Sequence, residues 1–443
     1  MKFYDRKNEI KELRKALTMS EKAAQFTVIT GRRRIGKTTL VRKVYENNTM
    51  VYFFVARKSE KELCAGYKKE IEQKLQSPIL GEISRFADIF EYLMKLSQTK
   101  SFTLFIDEFQ EFYRVNPSVF SDMQRIWDEY HKGSKINFVV CGSIYSMMTN
   151  IFQNHKEPLY NRENRFMKIK PFKIDTLREI LNDYNPDFKS EDLLALYLFT
   201  GGVAKYVDIL MESGALTRDM MIRQIINANS SFIGEGKALL IEEFGKEYGM
   251  YFSILTAIAE GKTSRSEIEN AVGKEIGGYL TRLEEHYEII KKHYPIFEKT
   301  HQRNVRYKLR DNFLQFWFRF IFRYQYIVEL DNYEALRELL IRDYDTYSGG
   351  ILEEYFRQVL TESGEYTRIG SWWDRKGHNE IDIVAENELN KTLLLAEVKR
   401  NDRNYSEKEL IKKATAFFQS VGDFKNYTVI YRGYSMKEMP KFI

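Results

Sequence analysis

One eight-residue motif constrains the fold of this chain more than any other feature of its sequence. The apolar run FTVIT begins at Phe26 and leads through GRRRIGKT, from Gly31 to Thr38, into TLVRKVYEN. The first run predicts a buried strand and the last a helix, which places G-x-x-x-x-G-K-[ST] in the turn between them. Gly31 and Gly36 allow consecutive backbone N–H groups to face inward. The motif therefore predicts a loop that binds phosphate.

A nucleoside triphosphate with Mg²⁺ is the ligand that suits this loop. We expect Lys37 to reach the β- and γ-phosphates and the Thr38 hydroxyl to ligate Mg²⁺. The N-terminus of the following helix adds partial positive charge. The predicted contacts from the loop are Gly31, Arg32, Arg33, Arg34, Ile35, Gly36, Lys37, Thr38 and Thr39.

The second half of a hydrolytic site is expected where SFTLFIDEF ends in two acidic residues. Residues 102–106 predict a buried strand, and Asp107 and Glu108 follow it. Two carboxylates at the end of a buried strand are costly unless a metal or a ligand satisfies them. We expect Asp107 to hold Mg²⁺ through its water shell and Glu108 to orient and polarise the attacking water. A plain helix N-cap by Asp107 is the alternative interpretation.

Composition and strand spacing indicate the fold class around this site. The chain has 443 residues, enough for several domains at about 100–200 residues each. Apolar residues make up 43% and charged residues 30%, which excludes a mostly disordered chain. Buried-strand candidates at residues 50–55, 136–141 and 166–169 alternate with helical stretches. The alternation predicts an α/β fold with a parallel sheet covered on both faces.

Two further residues are candidates for contact with the nucleotide. Ser143 follows the predicted strand NFVVCG, at the sheet edge where ligands bind, and is expected near the γ-phosphate or the attacking water. Arg162, in PLYNR, is expected to reach a phosphate from a neighbouring segment or subunit. A turn serine and a solvated arginine are the alternatives.

Residues 1–245 resemble the AAA+-related, STAND-like prokaryotic ATPases. The resemblance lies in FYDRKNEI, GRRRIGKT, FIDEFQ, VVCGS, PLYNR and GGVAKY. It implies an ATP-binding P-loop NTPase core at residues 1–172 and a helical lid at residues 173–245. It also implies that Phe3, Arg6 and Glu9 pack near the nucleotide base. The family's lid motif Gly-Gly-x-Pro reads Gly-Gly-Val-Ala at residues 201–204, without the proline.

The middle of the chain is similar to a winged helix-turn-helix, which the resemblance places at residues 246–312. Helical patterns in YFSILTAIAEG, RSEIENAV and EIGGYLTRLEEHYEII precede a hairpin-like segment, and Ser264 and Glu267 predict a capping box. The hairpin is strongly basic, with one acidic residue, Glu298. Its basic residues are Lys291, Lys292, Lys299, Arg303, Arg306, Lys308 and Arg310. Two interpretations stand: a basic wing on a DNA backbone, and a module that packs on other protein.

The last part of the chain predicts a cluster of carboxylates. A helical connector is expected at residues 313–345, followed after Ser348-Gly349-Gly350 by a new helix. EIDIVA and LLLAEVK then predict a hairpin. With Leu389-Asn390 at its tip, Asp382 faces Glu397, and Lys399 shares the side of Glu397. Two adjacent carboxylates repel each other unless a hard cation lies between them.

Residues 346–443 resemble the PD-(D/E)XK restriction-endonuclease-like α/β domain that is often fused to this ATPase family. The resemblance implies a catalytic set of Glu353, Asp382, Glu397 and Lys399, with Asp382 and Glu397 as ligands of a second Mg²⁺ or Mn²⁺. The first alternative is a cross-strand salt bridge on a solvated face. The second is a domain that binds DNA and its metal without cutting.

Charge and apolar patterning complete the expectations. The net charge of +6 slightly favours a polyanionic partner. The small number of cysteines, two, suits a reducing cytosol. The first residues lack the apolar segment of a signal peptide, and residues 313–328 predict a buried aromatic helix rather than a membrane span. We therefore expect a cytoplasmic ATPase that hydrolyses ATP with Mg²⁺ and acts on DNA, with a homo-oligomer or protein partner as further candidates. The alternative is a nucleotide-dependent signalling or transcription-regulatory switch without nuclease activity.

Overall fold

Every described residue belongs to one of two units in the computed structural model of this chain. The structure describes residues 1–245, 248–298, 304–422 and 424–441. The first unit is Asp5–Lys170, and the second comprises Met1–Tyr4 and the described residues from Pro171 onward.

Five parallel strands form the centre of the first unit, in the order β2-β3-β4-β1-β5. The strands are β1 (Gln25–Thr30), β2 (Met50–Phe54), β3 (Phe102–Asp107), β4 (Ile136–Gly142) and β5 (Arg165–Lys168). The helices are α1 (Lys7–Ser20), α2 (Lys37–Val44), α3 (Glu60–Leu75), α4 (Phe86–Leu96), α5 (Phe112–Val115), α6 (Ser118–Tyr130) and α7 (Tyr145–Gln153). The predicted parallel sheet is confirmed, strand by strand.

The three central strands are buried along their whole length, as their continuous apolar and β-branched runs require. The side chains of these strands form an apolar cluster with helices α4 and α6, which contribute Phe90, Leu93, Phe120 and Ile126. Because the strands are parallel, their carboxyl ends meet at one edge of the sheet. The phosphate loop after β1, the acidic pair after β3 and Ser143 after β4 therefore share that edge.

The second unit begins with a run of helices. They are α8 (Ile174–Tyr184), α9 (Ser190–Thr200), α10 (Ala204–Glu212), α11 (Arg218–Ile225), α12 (Ser231–Phe244), α13 (Tyr248–Ala259), α14 (Arg265–Val272) and α15 (Gly277–Thr281). Gly202, between α9 and α10, has φ 74°, and a Cβ there would lie 2.6 Å from Phe172 O. Glycine is therefore required at position 202. Val203 occupies the variable position of the family's Gly-Gly-x-Pro motif and has an unstrained, extended backbone.

A three-helix segment leads into a short antiparallel hairpin, in the predicted order. Helices α13, α14 and α15 precede β6 (Ile290–His293) and β7 (Arg306–Leu309). The predicted capping box on α14 is confirmed, since Ser264 Oγ accepts from Glu267 N at 3.3 Å and Glu267 Oε2 accepts from Ser264 N at 2.9 Å. Of the hairpin's basic residues, Lys299 and Arg303 lie outside the described residues.

The aromatic segment after the hairpin folds as two short helices joined by a π-helical turn. They are α16 (Asn312–Phe316) and α17 (Gln325–Glu329), with the π-helical turn at Trp317–Phe322 between them. Phe313, Phe316, Phe318 and Phe320 are buried, as expected. Among the helices of the described ranges, none has the length and apolar character that crossing a membrane requires.

The helix expected after Gly350 is part of a longer one. Helix α18 runs without a break from Tyr333 to Ser363, so no new helix starts after Gly350. Ser348 is buried and its hydroxyl accepts from Arg400 at 2.7 Å, and neither adjacent glycine has a positive φ. Packing along the helix outweighs the cost of about 1 kcal/mol for each glycine. The connector and the final domain expected to separate at residue 345 therefore share one helix.

A four-stranded sheet with the order β11-β10-β9-β8 ends the chain. The strands are β8 (Arg368–Trp373), β9 (Glu380–Asn387), β10 (Thr392–Val398) and β11 (Thr428–Tyr434), with α19 (Glu407–Val421) between the last two. Strand β11 pairs parallel to β10, and the other pairs are antiparallel. Leu410, Ala414 and Phe417 of α19 pack at helical spacing on Val384 and Leu395 of the sheet. This apolar contact determines which residues of α19 face the strands.

Candidate nucleotide and carboxylate sites

The phosphate loop has the backbone conformation that its glycines predict. Gly31 has φ 146° and Gly36 has φ 95°, and a Cβ on Gly31 would lie 2.6 Å from Ile169 O. A side chain at Gly31 would therefore push the loop away from β5. The tight cradle fits a phosphate, because backbone N–H groups can approach an anion closely where no Cβ intervenes.

The side chain of Lys37 folds back onto the backbone of this loop. Its ammonium donates to Gly31 O at 2.8 Å and Arg32 O at 3.1 Å. Burial lowers the pKa of Lys37, and the negative charges of Glu108 and Asp107 partly oppose that effect. A buried ammonium that donates to carbonyl oxygens is suited to exchange them for phosphate oxygens.

Thr38 and Asp107 meet at the carboxyl edge of the sheet. Thr38 Oγ1 donates to Asp107 Oδ2 at 2.6 Å, and the Tyr52 hydroxyl donates to the same oxygen at 3.3 Å. Burial raises the pKa of Asp107, while the hydrogen bond from Thr38 lowers it. Hydroxyl and carboxylate oxygens are the ligands that Mg²⁺ prefers, so the pair fits this ion. The alternative that Asp107 caps a helix is not what the structure has, since the following turn begins after Glu108.

Glu108 is held in a strained and specific orientation. Its backbone is left-handed, with φ 53°, an uncommon state for a residue with a side chain. Its Oε2 accepts from Ser143 Oγ at 2.8 Å and from Gln110 Nε2 at 2.6 Å. The structure therefore brings Ser143 and Gln110 to Glu108, and the expected contact of Ser143 with the γ-phosphate or the attacking water stays a prediction.

The remaining loop residues differ in their exposure. Arg33, Arg34 and Thr39 are exposed at the surface, whereas Ile35 is buried. Arg6 has φ 69°, and its guanidinium donates to Ile35 O at 3.5 Å and lies 3.5 Å from Glu9. The opening segment thus contacts the loop through Arg6. Phe3 belongs to the second unit.

Arg162 is not brought to the phosphate loop. It precedes β5 and forms a two-pronged ion pair with Asp128, at 3.0 and 3.2 Å, near the end of α6. Both residues lie where the strands begin, about 20 Å from the carboxyl edge for strands of six residues. The expected contact with a phosphate of its own chain is therefore wrong, and only a contact with a neighbouring subunit's nucleotide stays open.

In the second unit, the predicted register of the C-terminal hairpin is confirmed. Val384 pairs with Leu395 and Ile383 with Ala396, which sets Asp382 opposite Glu397. Asp382 and Glu397 are both buried, and Lys399 Nζ donates to Asp382 Oδ2 at 3.3 Å and to Glu397 Oε2 at 2.8 Å. The backbone N–H of Val398 donates to Asp382 Oδ2 at 2.8 Å.

A second lysine, which sequence reasoning missed, completes this cluster. Lys413 Nζ on α19 donates to Glu397 Oε1 at 2.7 Å, so both oxygens of Glu397 carry an ammonium. Lys413 follows Leu410 by three residues and therefore lies on the face of α19 that packs on the sheet. Two carboxylates and two ammonium groups cancel in charge. Within the described ranges, no group of three or more His, Cys, Asp and Glu side chains is placed to hold a metal ion.

Glu353 of α18 is the third acidic residue of this region. Burial, and then the nearby charge of Asp382, raise the pKa of Glu353 to about 7. Burial likewise raises the pKa of Asp382, with Glu397 adding to the shift. Arg357 lies 3.7 Å from Glu353 and donates to Asp382 O at 2.9 Å. Arg357, which the sequence did not single out, thus links α18 to the hairpin, and the catalytic role of Glu353 stays a prediction.

The basic side chains of the hairpin that the structure describes lie close to carboxylates. Four of them form ion pairs, and Lys308 lies near Glu353 and Glu354 with its pKa lowered by burial. The pairs are Lys291–Glu354 (2.8 Å), Lys292–Glu284 (2.6 Å), Arg306–Glu380 (2.7 Å) and Arg310–Glu288 (3.9 Å). Two of the carboxylates, Glu354 and Glu380, belong to α18 and β9. Two of these pairs join the hairpin to the C-terminal module, and four of its described basic side chains are neutralised by carboxylates.

The parallel sheet, the loop after β1 and the acidic pair after β3 define a P-loop ATPase. A family described as an ATPase domain predominantly from Archaea matches residues 3–210. An uncharacterised protein of Methanocaldococcus jannaschii is 32% identical over 410 residues, covering 90% of this chain and 88% of that one. The chain belongs to the family of this archaeal protein, and it is an ATPase.

The chain is also similar to solved structures and to a second family model. The Walker-type ATPase of Pyrococcus abyssi superposes with a TM-score of 0.55 at 16% identity, covering 71% of this chain and 96% of that one, which shows a shared fold. The ORC2 protein of Aeropyrum pernix superposes with a TM-score of 0.49 at 17% identity, covering 70% and 90%. Residues 317–411 match a family described as archaeal and bacterial proteins of unknown function.

Proposed function

We propose that ATP is hydrolysed with Mg²⁺ at the carboxyl edge of the first sheet. The hydrogen bond of 2.6 Å between Thr38 and Asp107, beside the strained Glu108, is the observation that carries this proposal. Thr38 and Asp107 would hold the ion. Bound there, Mg²⁺ would neutralise charge on the β- and γ-phosphates. The residues that hold the phosphates are Gly31, Arg32, Arg33, Arg34, Ile35, Gly36, Lys37 and Thr39.

Glu108 and Ser143 act on the nucleophile in this proposal. Glu108 accepts a hydrogen bond from a water placed in line with the γ-phosphate, and Ser143 fixes the carboxylate at 2.8 Å. The water oxygen bonds to the γ-phosphorus as the bond to the bridging oxygen breaks, and ADP leaves with that electron pair. The proton of the water passes to Glu108 and then to solvent.

We further propose a helical lid at residues 173–245 and a winged helix at residues 246–312. The first is supported by the helices α8 to α12 and by the glycine turn before α10. The second is supported by three helices followed by an antiparallel hairpin. The ion pairs of the hairpin favour a winged helix that packs on protein, rather than one that reads DNA through its wing.

The C-terminal module is proposed to be nuclease-like and to act on DNA. The convergence of Asp382, Glu397 and Lys399 in one register of the hairpin carries this proposal. Glu353 on α18 supplies the helix-borne acid of the same arrangement. The cluster as it stands does not fit a divalent cation, because Lys413 and Lys399 occupy Glu397, so we derive no cleavage step through a metal.

The contacts of two lysines with Glu397 favour a second candidate function. This is a nucleotide-dependent switch whose C-terminal module binds DNA without cutting it. The deciding experiment incubates the full chain with plasmid DNA and Mg²⁺ or Mn²⁺, with and without ATP. Cutting that is lost in Asp382→Ala and Lys399→Ala supports the nuclease. ATP turnover with intact plasmid in every condition supports the switch. Asp402→Ala, at an exposed ion pair with Lys437, is the matched control and is expected to behave as the wild type.

A further inference from the structure

Gln110 is fully buried beside the nucleotide edge, where no part of the proposed reaction uses it. It lies in the 3₁₀ turn Phe109–Glu111 and is 1% exposed. Its Nε2 donates to Glu108 Oε2 at 2.6 Å. Ser143 Oγ donates to that same oxygen at 2.8 Å. Two donors from different segments therefore converge on one carboxylate oxygen.

The chemistry of the partner fixes the orientation of the Gln110 amide. An ionised carboxylate only accepts hydrogen bonds, so the NH₂ end must face Glu108 and the carbonyl end must face away. The Oε1 atom is buried and has no hydrogen-bond partner among the residues that the structure describes. An unpaired buried acceptor costs about 1–3 kcal/mol. The contact with Glu108 is thus retained at the expense of stability, which is typical of a functional position.

The backbone at Gly142 lies close to the amide oxygen of Gln110. A Cβ on Gly142 would lie 2.6 Å from Gln110 Oε1 and 2.2 Å from Met148 Sδ. A side chain at position 142 would therefore force the amide of Gln110 and the side chain of Met148 to shift. The backbone of Gly142 therefore packs against Gln110. The next residue, Ser143, supplies the second donor to Glu108.

We propose that Gln110 is a positioning residue for ATP hydrolysis, which together with Ser143 holds Glu108 Oε2 and leaves Oε1 to accept from the attacking water. A carboxylate held by two donors on one oxygen cannot swing about its side chain. A left-handed backbone costs free energy and persists where the surroundings hold the residue, which the two donors to Glu108 help to do. The inference rests on the proposed role of Glu108 with the water.

The test measures steady-state hydrolysis, affinity for a fluorescent ATP analogue and thermal unfolding in matched variants. Gln110→Met keeps the length of the side chain and removes the donor. It is expected to lower kcat about 10- to 100-fold, with KM and nucleotide affinity within twofold of wild type. Gln153→Met, at the exposed end of α7, is the control and should match the wild type.

Two further variants separate positioning from packing. In the double variant Ser143→Ala with Gln110→Met, the losses in kcat should not multiply, because both donors act on one oxygen. Gln110→Glu keeps the shape and places a second carboxyl beside Glu108, so the acid limb of the kcat–pH profile should move to higher pH. A purely structural role would move neither quantity in this way.

The outcomes distinguish this inference from the proposed role of Glu108. If Glu108→Gln loses activity while Gln110→Met keeps kcat within twofold, the positioning role is wrong and Glu108 stands. If Glu108→Gln itself hydrolyses ATP at the wild-type rate, the proposed role of Glu108 is wrong. A fall in kcat of Gln110→Met that parallels a loss of folded protein or of nucleotide affinity also overturns the inference.

Discussion

Lys413 Nζ lies 2.7 Å from Glu397 Oε1, on the opposite oxygen from the one that Lys399 contacts. The two lysines reach Glu397 from α19 and from its own strand, so the carboxylate is neutralised from both sides. Glu397 and Asp382 are separated from Lys413 by at least 16 positions in the chain. This relationship decides how readily the cluster accepts a divalent cation.

Removing Lys413 should raise the affinity for a divalent cation. In Lys413→Met the methylene stem remains packed on the sheet while one competing positive charge is lost. We expect Mn²⁺ to bind about tenfold more tightly, a change of about 1.4 kcal/mol. Titration calorimetry of the full chain with MnCl₂ measures it. Lys412→Met, exposed on the same helix, is the control, and equal affinities in both variants would contradict the account.

Lys37→Ala should remove the nucleotide site without unfolding the first unit. The ammonium donates to Gly31 O and Arg32 O, and both carbonyls lie in the loop itself. Loss of a charged contact to phosphate is expected to weaken ATP binding about 100-fold, as measured by a fluorescent analogue. Lys43→Ala, at an exposed pair with Glu46, should leave the affinity unchanged. Normal affinity in Lys37→Ala would show that the phosphate site lies elsewhere.

Arg306 should matter for stability rather than for DNA affinity. Its guanidinium pairs with Glu380 at 2.7 Å and lies 4.3 Å from the centre of the Trp373 ring. Arg306→Gln should lower the unfolding free energy by about 1 kcal/mol, because the pair is partly solvated. The salt dependence of DNA binding should keep its slope. A decrease of about one in that slope would instead place Arg306 on a phosphate.

His293 should make the second unit less stable in acid. Burial, and then Lys308 and Arg357, lower the pKa of His293 from 6.5 to about 3. Between these two values the unfolded chain binds a proton that the folded chain excludes, so stability falls as the pH drops below 6.5. His293→Gln can still bond Ser371, which lies 2.6 Å from the ring nitrogen.

Urea unfolding of wild type and His293→Gln at pH 7.5 and pH 5.0 measures the effect. The variant should lose about 1–2 kcal/mol less than the wild type on acidification. His155→Gln, at an exposed position, is the control. An equal loss in wild type and His293→Gln would mean that His293 titrates alike in the folded and unfolded chain.

Local pattern was enough to predict several parts of the molecule. The phosphate loop, the strands of the first sheet and the hairpin register that opposes Asp382 and Glu397 all follow from apolar periodicity and turn residues. These features depend on neighbours within about ten residues, and a buried strand or a glycine turn leaves a signature in that window.

Other parts could not be predicted from local pattern. Helix α18 continues through Ser348, Gly349 and Gly350 because Ser348 is buried and bonds Arg400. Arg162 lies at the amino edge of the sheet because it precedes β5, which runs parallel to β1, and its ion pair with Asp128 depends on how α6 packs. Neither cause is visible in the letters around these residues.

The sequence by itself determined the class of chemistry, since a glycine loop with Lys37 and Thr38 and an acidic strand end can be recognised from neighbouring residues. Only the tertiary structure decided which groups hold those residues in place. Gln110 and Ser143 meet on Glu108, and Lys413 meets Lys399 on Glu397, through strands and helices far apart in the chain. Such contacts depend on how the sheets and helices pack, because packing, unlike periodicity, is a property of the whole fold.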